Sequence, residues 1–277
     1  MPEYSVQLRA QLGPYKTYRV GVKEDGIARS GYKHRYILPE TYQRLNILET
    51  YRREFWTLFD DPDARKDVLS LQSGFHHLDS TQAMCFNLFA PFVHDSHTRQ
   101  LLLEALGRDD AAVNTLRFDR IIDRADMLCV DFFVELKSDA CLLFELKLAE
   151  TQFDAVLKPT PGQTRRLRDM YIPLLQGKVP DIYLQEHTFF HYDHLLRNIA
   201  LLELERADHL YIIFPRQNEA LCRQENDIQA VCAMYLRDHV TILHLEDLLE
   251  GIQSRSADQS NQFRAHFDMF KEKYLLS

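Results

Sequence analysis

The most constraining feature of the sequence is a stretch of strict alternation between residues 127 and 148. Apolar side chains occupy every second position from Leu128 to Leu136, and the alternation resumes from Cys141 to Leu148 after a short polar turn, Ser138-Asp139-Ala140. A period of two places successive side chains on opposite faces of a β-strand. Two such segments joined by a short turn predict a hairpin of two largely buried strands.

Three charged residues of this apolar hairpin lie away from its turn: Asp131 on the first strand, and Glu145 and Lys147 on the second. Buried charges are costly without a partner or a function. A three-residue loop would set Asp131 opposite Lys147, a five-residue loop would set it opposite Glu145, and an even loop would turn it to the other face. Because opposed Cβ atoms lie about 4.5–5.5 Å apart, the two carboxylates could share one divalent ion.

These residue types suit phosphate chemistry. Mg²⁺ prefers oxygen ligands, which the carboxylates of Asp131 and Glu145 and the carbonyl of Leu146 could provide, with Mn²⁺ as a substitute. The ammonium of Lys147 could orient an attacking water and offset negative charge in the transition state. The segment therefore predicts a metal site with Asp131, Glu145 and Lys147 as catalytic residues.

Helical and extended patterns alternate along the rest of the chain, which predicts an α/β class with a mixed β-sheet flanked by helices. The first 75 residues lack clear periodicity until about Thr41, so we interpret 1–75 as an N-terminal extension and 76–277 as the main domain. The elements expected in the main domain are a helix over Thr81–Ala90 stopped by Pro91, a helix capped by Asp95 or Ser96, a helix over His191–Arg206, a strand over Leu210–Phe214, a helix over Glu219–Leu236, and a strand over Val240–Leu243 in parallel pairing.

The charges are unevenly distributed. The formal net charge is -8, which argues against nonspecific coating of nucleic acid, yet residues 157–178 carry five basic residues against the single acidic Asp169. Residues 1–40 are also basic, so either segment could meet a polyanion. The first residues lack the apolar core of a secretion signal, and no run of about 18 apolar residues follows, so we expect a cytoplasmic protein without a membrane span. The five cysteines form no CxxC pair, which indicates reduced core residues.

Three motifs resemble a known family. Asp131, followed after thirteen residues by Glu145-Leu146-Lys147, resembles the PD-(D/E)XK nuclease superfamily. Residues 80–89 resemble the "SSQA..FNLF" helix of a bacterial family of restriction-endonuclease-like proteins, and Leu195 to Ile199 resembles its "QLLRNI" helix. The resemblance covers roughly residues 75–215, with Val130 in place of the proline and His194 where the family has glutamine.

The resemblance implies a restriction-endonuclease-like fold for the main domain and a Mg²⁺-dependent nuclease that acts on DNA. It also leaves room for a homodimer and for a partner methyltransferase or other defence protein. The side chains expected near the site fall into two sets. Arg165, Arg166, Arg168 and Arg197 are expected to meet phosphates, and Gln82, His194 and Asn198 are expected to support the metal pocket.

Two alternatives compete with this interpretation. Glu135-Leu136-Lys137 is also an ExK triplet, with Asp119, Asp123 and Asp126 upstream. It ends its strand beside the turn, where exposed charges are ordinary. The other alternative is a protein that kept the fold and lost catalysis, and serves as a nucleic-acid-binding or interaction module. In that case the charged residues of the hairpin would form only a buried ion pair.

Overall fold

In the part of the chain that the structure describes, the strands form a two-stranded ribbon and one five-stranded mixed sheet. The computed structural model describes residues 3–61, 71–123, 128–153, 155–232 and 234–276. The ribbon consists of β1 Gly26–Ile27 and β2 Lys33–His34, and the sheet consists of β3 Val113–Asp123, β4 Leu128–Leu136, β5 Cys141–Leu146, β6 His209–Phe214 and β7 Val240–His244. The spatial order of the strands in the sheet is β3-β4-β5-β6-β7.

Helices occupy most of the remaining chain. The α-helices are α1 Tyr4–Tyr15, α2 Glu49–Asp60, α3 Thr81–His94, α4 Arg99–Ala105, α5 Pro161–Arg166, α6 Ile172–Leu175, α7 Glu186–His191, α8 Asp193–Ala200, α9 Glu219–Cys222, α10 Glu225–Val231, α11 Leu245–Ser254 and α12 Asn261–Tyr274. Short 3-10 helices cover Glu40–Asn46, Ser96–Thr98, Asp181–Leu184, Leu204–Arg206 and Met234–His239, and π-helical turns cover Lys16–Val20 and Leu167–Tyr171.

The sheet confirms the predicted α/β class and its mixed pairing. β4 pairs antiparallel with both β3 and β5, and β5-β6-β7 run parallel. The predicted hairpin is therefore β4-β5, and the predicted parallel unit is β6-β7. Strand β3 was not expected from the sequence, because its charged residues blur the alternation. This strand lies at the edge of the sheet and pairs with β4 alone, and such a position demands less apolar character than a central strand.

Each face of the sheet is covered by its own apolar cluster. On one face, Phe132 of β4 and Phe144 of β5 pack with residues of α1, α2, α3, α4, α11 and α12. On the other face, Leu143 of β5 and Ile212 of β6 pack with residues of α6 to α10. Successive side chains of each strand thus pack alternately into the apolar clusters on the two faces of the sheet. Glu145 is opposite Ile212 and belongs to the second face.

Helix α3 does not end at Pro91, contrary to the expectation from the sequence. The helix continues to His94 with Pro91 inside its last turn. A proline cannot donate to the carbonyl four residues earlier, which is that of Asn87. Here Nε2 of the buried His266, from α12, donates to this carbonyl at 2.6 Å. The helix survives because a distant residue replaces the missing hydrogen bond.

Two predicted helices differ in the structure. Of the helix expected over His191–Arg206, only Asp193–Ala200 is α-helical, as α8. His191 ends the preceding helix α7, a break at Tyr192 separates the two helices, and Leu204–Arg206 forms a 3-10 turn. The buried pairs Phe189-Phe190 and Leu195-Leu196 would point about 120° apart on one straight helix, whereas both pack in the same apolar cluster. The helix expected over Glu219–Leu236 is likewise divided into α9 and α10, followed by a 3-10 turn.

The first 75 residues contribute to the main core. Leu8 and Leu12 of α1 are fully buried in the cluster that also contains Phe86 of α3 and Phe267 of α12. The Tyr4 hydroxyl donates to the carbonyl of Tyr274 at 3.1 Å. The division at residue 75 stays a prediction, but α1 and α12 are in direct contact. Within the described ranges, no helix has both the length and the apolar character needed to cross a membrane.

Candidate active site

The candidate site begins with the pairing register of β4 and β5. Glu135 pairs with Cys141, so the connection between the last paired residues contains five residues. Of the two loop lengths considered, this is the one that sets Asp131 opposite Glu145. The Oδ2 atom of Asp131 also accepts a hydrogen bond from the backbone N–H of Leu146 at 2.8 Å. The carboxylate of the first strand therefore reaches the end of the second.

Glu145 is buried, at 4% exposure, and both of its oxygens have partners. Oε1 lies 2.9 Å from Nζ of Lys147, which is equally buried, and 3.0 Å from Nδ1 of His194. Oε2 accepts a hydrogen bond from Nδ2 of Asn198 at 3.0 Å. Helix α8 thus places two side chains, four residues apart, on the carboxylate of β5.

Electrostatics keep this carboxylate charged. Burial raises the pKa of Glu145, but the neighbouring charges of His194 and Lys147 outweigh burial and hold the pKa well below its usual range. Glu145 in turn raises the pKa of His194, against the opposing effects of burial and of Lys147. The three groups form one cluster in which each charge depends on the others.

The donor set at this site suits a hard divalent cation. Asp131 and Glu145 offer carboxylate oxygens, and Leu146 offers a backbone carbonyl beside them. The Oδ1 atom of Asn198 is buried and has no hydrogen-bond partner in the described part of the chain. Buried polar atoms normally have a partner, and an oxygen-rich pocket of this kind fits Mg²⁺ or Mn²⁺. A cation bound at Glu145 would balance the negative charge of this carboxylate, which Lys147 and His194 now balance.

The relationship to known proteins is decided by one match. A family model described as "Restriction Endonuclease associating with ARP" matches residues 9–275, which is nearly the whole chain. The chain belongs to this family. The resemblance to restriction-endonuclease-like proteins is thereby confirmed. Comparison with curated proteins and with solved structures found no match.

In this member of the family, the competing ExK triplet lies in a different environment from Glu145 and Lys147. Glu135 is half-buried near the end of β4, and Lys137 is exposed at the turn that follows. Of the acidic residues upstream, Asp126 lies outside the described residues, as do the side chains of Asp119 and Asp123. Of the two triplets, the second combines burial with a direct ion pair, which favours Glu145 and Lys147.

The arginines expected to meet phosphates occupy two environments. Arg165 and Arg168 are exposed, and Arg166 is half-buried, on the helical segment that begins after Thr160. In contrast, Arg197 on α8 is held inside the fold. Its Nε donates to the hydroxyl of Tyr171 at 3.1 Å, and its Nη1 lies 3.4 Å from a carboxylate oxygen of Asp193. Contact of these four arginines with phosphates stays a prediction.

The three residues expected to support the metal pocket separate in the structure. His194, which stands where the family has glutamine, and Asn198 both contact the carboxylate of Glu145. Gln82 is buried elsewhere on α3, and its Oε1 accepts from the backbone N–H of Gln72 at 2.9 Å. A role for Gln82 at the metal pocket stays a prediction.

The "SSQA" helix reaches the site strand through a contact that sequence reasoning missed. The Thr81 hydroxyl donates to Oε1 of Glu150 at 2.5 Å, and Oε2 of Glu150 accepts from the backbone N–H of Leu148 at 2.6 Å. Glu150 therefore links the start of α3 to the chain that leaves β5. In the sequence, the closeness of Glu150 to Glu145, five residues earlier, could have indicated that Glu150 lies near the site.

Proposed function

We propose that this protein hydrolyses phosphodiester bonds in nucleic acid, with DNA as its substrate, as an endonuclease of the restriction or defence type. The observation that carries the proposal is the buried pair of Glu145 and Lys147 at the end of β5, beside Asp131 of the neighbouring strand. Membership in a restriction-endonuclease family supports the same chemistry. The fold and the family support nuclease chemistry, and the proposed mechanism rests on the residues of the site.

Asp131, Glu145 and the carbonyl of Leu146 are the groups proposed to hold Mg²⁺, or Mn²⁺ in its place. When bound, such an ion supplies Lewis acidity at the phosphate and lowers the pKa of a water molecule. The Oδ1 atom of Asn198 offers a further oxygen beside Glu145. Acid should weaken metal binding, because protons compete for the carboxylates.

Lys147 is proposed to act on the reacting phosphate directly. Its ammonium is buried beside Glu145, so its charge is weakly screened by solvent and acts strongly at short range. It can donate a hydrogen bond to the attacking water or to a phosphate oxygen as negative charge develops. His194 and Asn198 are positioning residues in this scheme, because they hold the carboxylate of Glu145.

The proposed partners follow from the same class of function. The family description mentions association with ARP, which supports a second protein acting with this one. A methyltransferase or another defence protein is a partner of the appropriate kind. A homodimer is also proposed, since cleavage of both strands of a duplex requires two sites.

The test compares Lys147→Ala with Lys137→Ala, because Lys137 belongs to the competing ExK triplet and is exposed. Plasmid, linear duplex, single-stranded DNA and RNA are incubated with each protein in Mg²⁺, Mn²⁺ or EDTA. We expect metal-dependent cutting of DNA by the wild type and by Lys137→Ala, and a loss of about 100-fold or more in Lys147→Ala. Undiminished cutting by Lys147→Ala, or cutting that persists in EDTA, would contradict the mechanism. Thermal unfolding checks that each variant is folded.

One observation favours the second candidate function, an inactive nuclease-fold module that binds nucleic acid or a protein. Glu145 is already balanced by Lys147 and His194, so the fold can tolerate this carboxylate without a metal. The two functions differ in the response to millimolar Mg²⁺ or Mn²⁺. A rise in melting temperature that disappears in Glu145→Gln supports the enzyme, and no rise supports the module.

A further inference from the structure

A second group of potential metal ligands lies at the edge of the sheet formed by β7. Cys222 at the end of α9, Glu225 at the start of α10 and His244 at the end of β7 each offer one ligand atom, and these atoms lie within 4.8 Å of one another. All three side chains are half-buried. Elements that are distant in sequence therefore bring together a sulfur, an oxygen and an imidazole nitrogen.

We propose that Cys222, Glu225 and His244 form a site for Zn²⁺ or a similar transition-metal ion, with a fourth position open to water. Thiolate, imidazole and carboxylate are the ligands that Zn²⁺ takes in proteins, and a set of three leaves one tetrahedral position unfilled. The site differs in chemistry from the oxygen-rich pocket at Asp131 and Glu145. Sulfur and nitrogen ligands select against Mg²⁺.

The distances suit a small ion. Nε2 of His244 lies 3.5 Å from Oε1 of Glu225. Two ligand atoms at the usual zinc distances stand about 3.4 Å apart on a tetrahedron. The remaining separations, up to 4.8 Å, need a contraction of the half-buried side chains. Their partial exposure also gives an ion access from solvent.

His244 is not committed to a hydrogen-bond network of the core. Nδ1 is buried and has no hydrogen-bond partner among the residues that the structure describes. The ring packs edge-on against Phe214, with centroids 5.5 Å apart. A buried histidine normally uses its ring nitrogens for hydrogen bonds. In His244, Nε2 faces the carboxylate of Glu225, which belongs to the same ligand group, and Nδ1 is open, so within the described ranges no contact outside the group occupies the ring nitrogens.

Cys222 differs from the other described cysteines. Cys85, Cys141 and Cys232 are buried, whereas Cys222 is half-buried. Its thiol donates to the carbonyl of Arg216 at 3.2 Å. Burial and the neighbouring Glu225 raise the pKa of this thiol, so a thiolate here would be stabilised by a cation between the two groups.

An ion bound at this site would stabilise the connection between β6 and β7, next to the candidate active site. Strands β5, β6 and β7 are in register through Leu146, Ile213 and Leu243. His244 therefore lies two strands away from Lys147, with Phe214 between them. An ion bound to α9, α10 and β7 would tie three elements together at this end of the sheet. The inference is independent of the proposed nuclease activity.

The test uses Co²⁺ as a spectroscopic probe of the full-length protein, in buffer containing millimolar Mg²⁺ to occupy oxygen-only sites. We expect one equivalent of Co²⁺ to give a sulfur-to-cobalt absorption in the near ultraviolet, which Zn²⁺ then removes. Cys222→Ser should abolish the band, and His244→Gln should weaken Co²⁺ binding by about tenfold or more.

Cys232→Ala is the matched cysteine control, because Cys232 is buried and lies outside the ligand group. This variant should retain the band. Absence of the band in the wild type, its persistence in Cys222→Ser, or equal loss in Cys232→Ala would overturn the proposal. Because an oxygen-only site produces no sulfur absorption, the result does not depend on whether a metal binds at Glu145.

Discussion

Glu145 combines two features that normally exclude each other, since it is buried and yet charged. It remains charged because Lys147 and His194 both contact Oε1, while Asn198 donates to Oε2. Removing one partner from a buried charge is costly, because the remaining charge is uncompensated. The residues around Glu145 should therefore affect stability as well as activity.

The pH dependence of the free energy of unfolding should reveal the ion pair between His194 and Glu145. The pKa of His194 is raised by Glu145 above the unfolded value of about 6.5. The stabilisation is complete below about pH 6.5 and is lost as pH rises through the folded pKa. Because the pKa of Glu145 is lowered, its carboxylate stays charged over this range. His194→Gln should therefore cost about 1–3 kcal/mol near pH 6 and less at pH 9.

Urea unfolding in EDTA between pH 6 and 9 measures this difference. His187→Gln is the control, because His187 is an exposed histidine on the adjacent helix α7. A free-energy difference between wild type and His194→Gln that is constant across this range would contradict the assignment of the ion pair.

At the scale of elements, local pattern indicated each buried face but missed the breaks. The apolar face of α8 was visible in the sequence, but its start at Asp193 after the break at Tyr192 and its end at Ala200 were not. Likewise, Pro91 stays within α3 because His266 of α12 satisfies the carbonyl of Asn87. Both outcomes depend on contacts made by other elements.

The segment around α5 should contribute affinity for DNA through charge. Arg165 and Arg168 are exposed, and each can neutralise one phosphate. Replacing both by alanine should weaken binding for every DNA sequence. The slope of log affinity against log salt should fall by about 0.9 for each phosphate that is no longer neutralised. Arg53→Ala is the control, because Arg53 on α2 is 90% exposed and distant in sequence. An unchanged slope in the double variant would remove these residues from the interface.

At the scale of the whole molecule, the two ends of the chain share one core. The hydroxyl of Tyr4 bonds to the carbonyl of Tyr274 across 270 positions of sequence. Leu8 and Leu12 are buried in the same cluster as Phe267. Residues 1–75 should consequently unfold together with the sheet.

Leu8→Ala tests this coupling. Truncating a fully buried leucine should cost about 2–5 kcal/mol. Val6→Ala on the same helix should change stability by less than about 0.5 kcal/mol, because Val6 is 53% exposed. Trp56, the only tryptophan, lies in this cluster and reports by fluorescence. Its midpoint in urea should coincide with that of far-ultraviolet circular dichroism, and separated midpoints would show an independently folding N-terminal region.

The alternating pattern was enough to predict the hairpin, its two faces and the presence of Asp131, Glu145 and Lys147 on one of them, because alternation is a local property of a strand. It left the register open, since loops of three and five residues preserve the same face. The folded chain selects the five-residue connection, in which Phe132 pairs with Phe144 and the carboxylate of Asp131 accepts from the N–H of Leu146. Only the tertiary structure decided that Asn198, 53 positions away, binds the carboxylate of Glu145. Such contacts depend on how a helix packs against the sheet, and no local pattern encodes that distance.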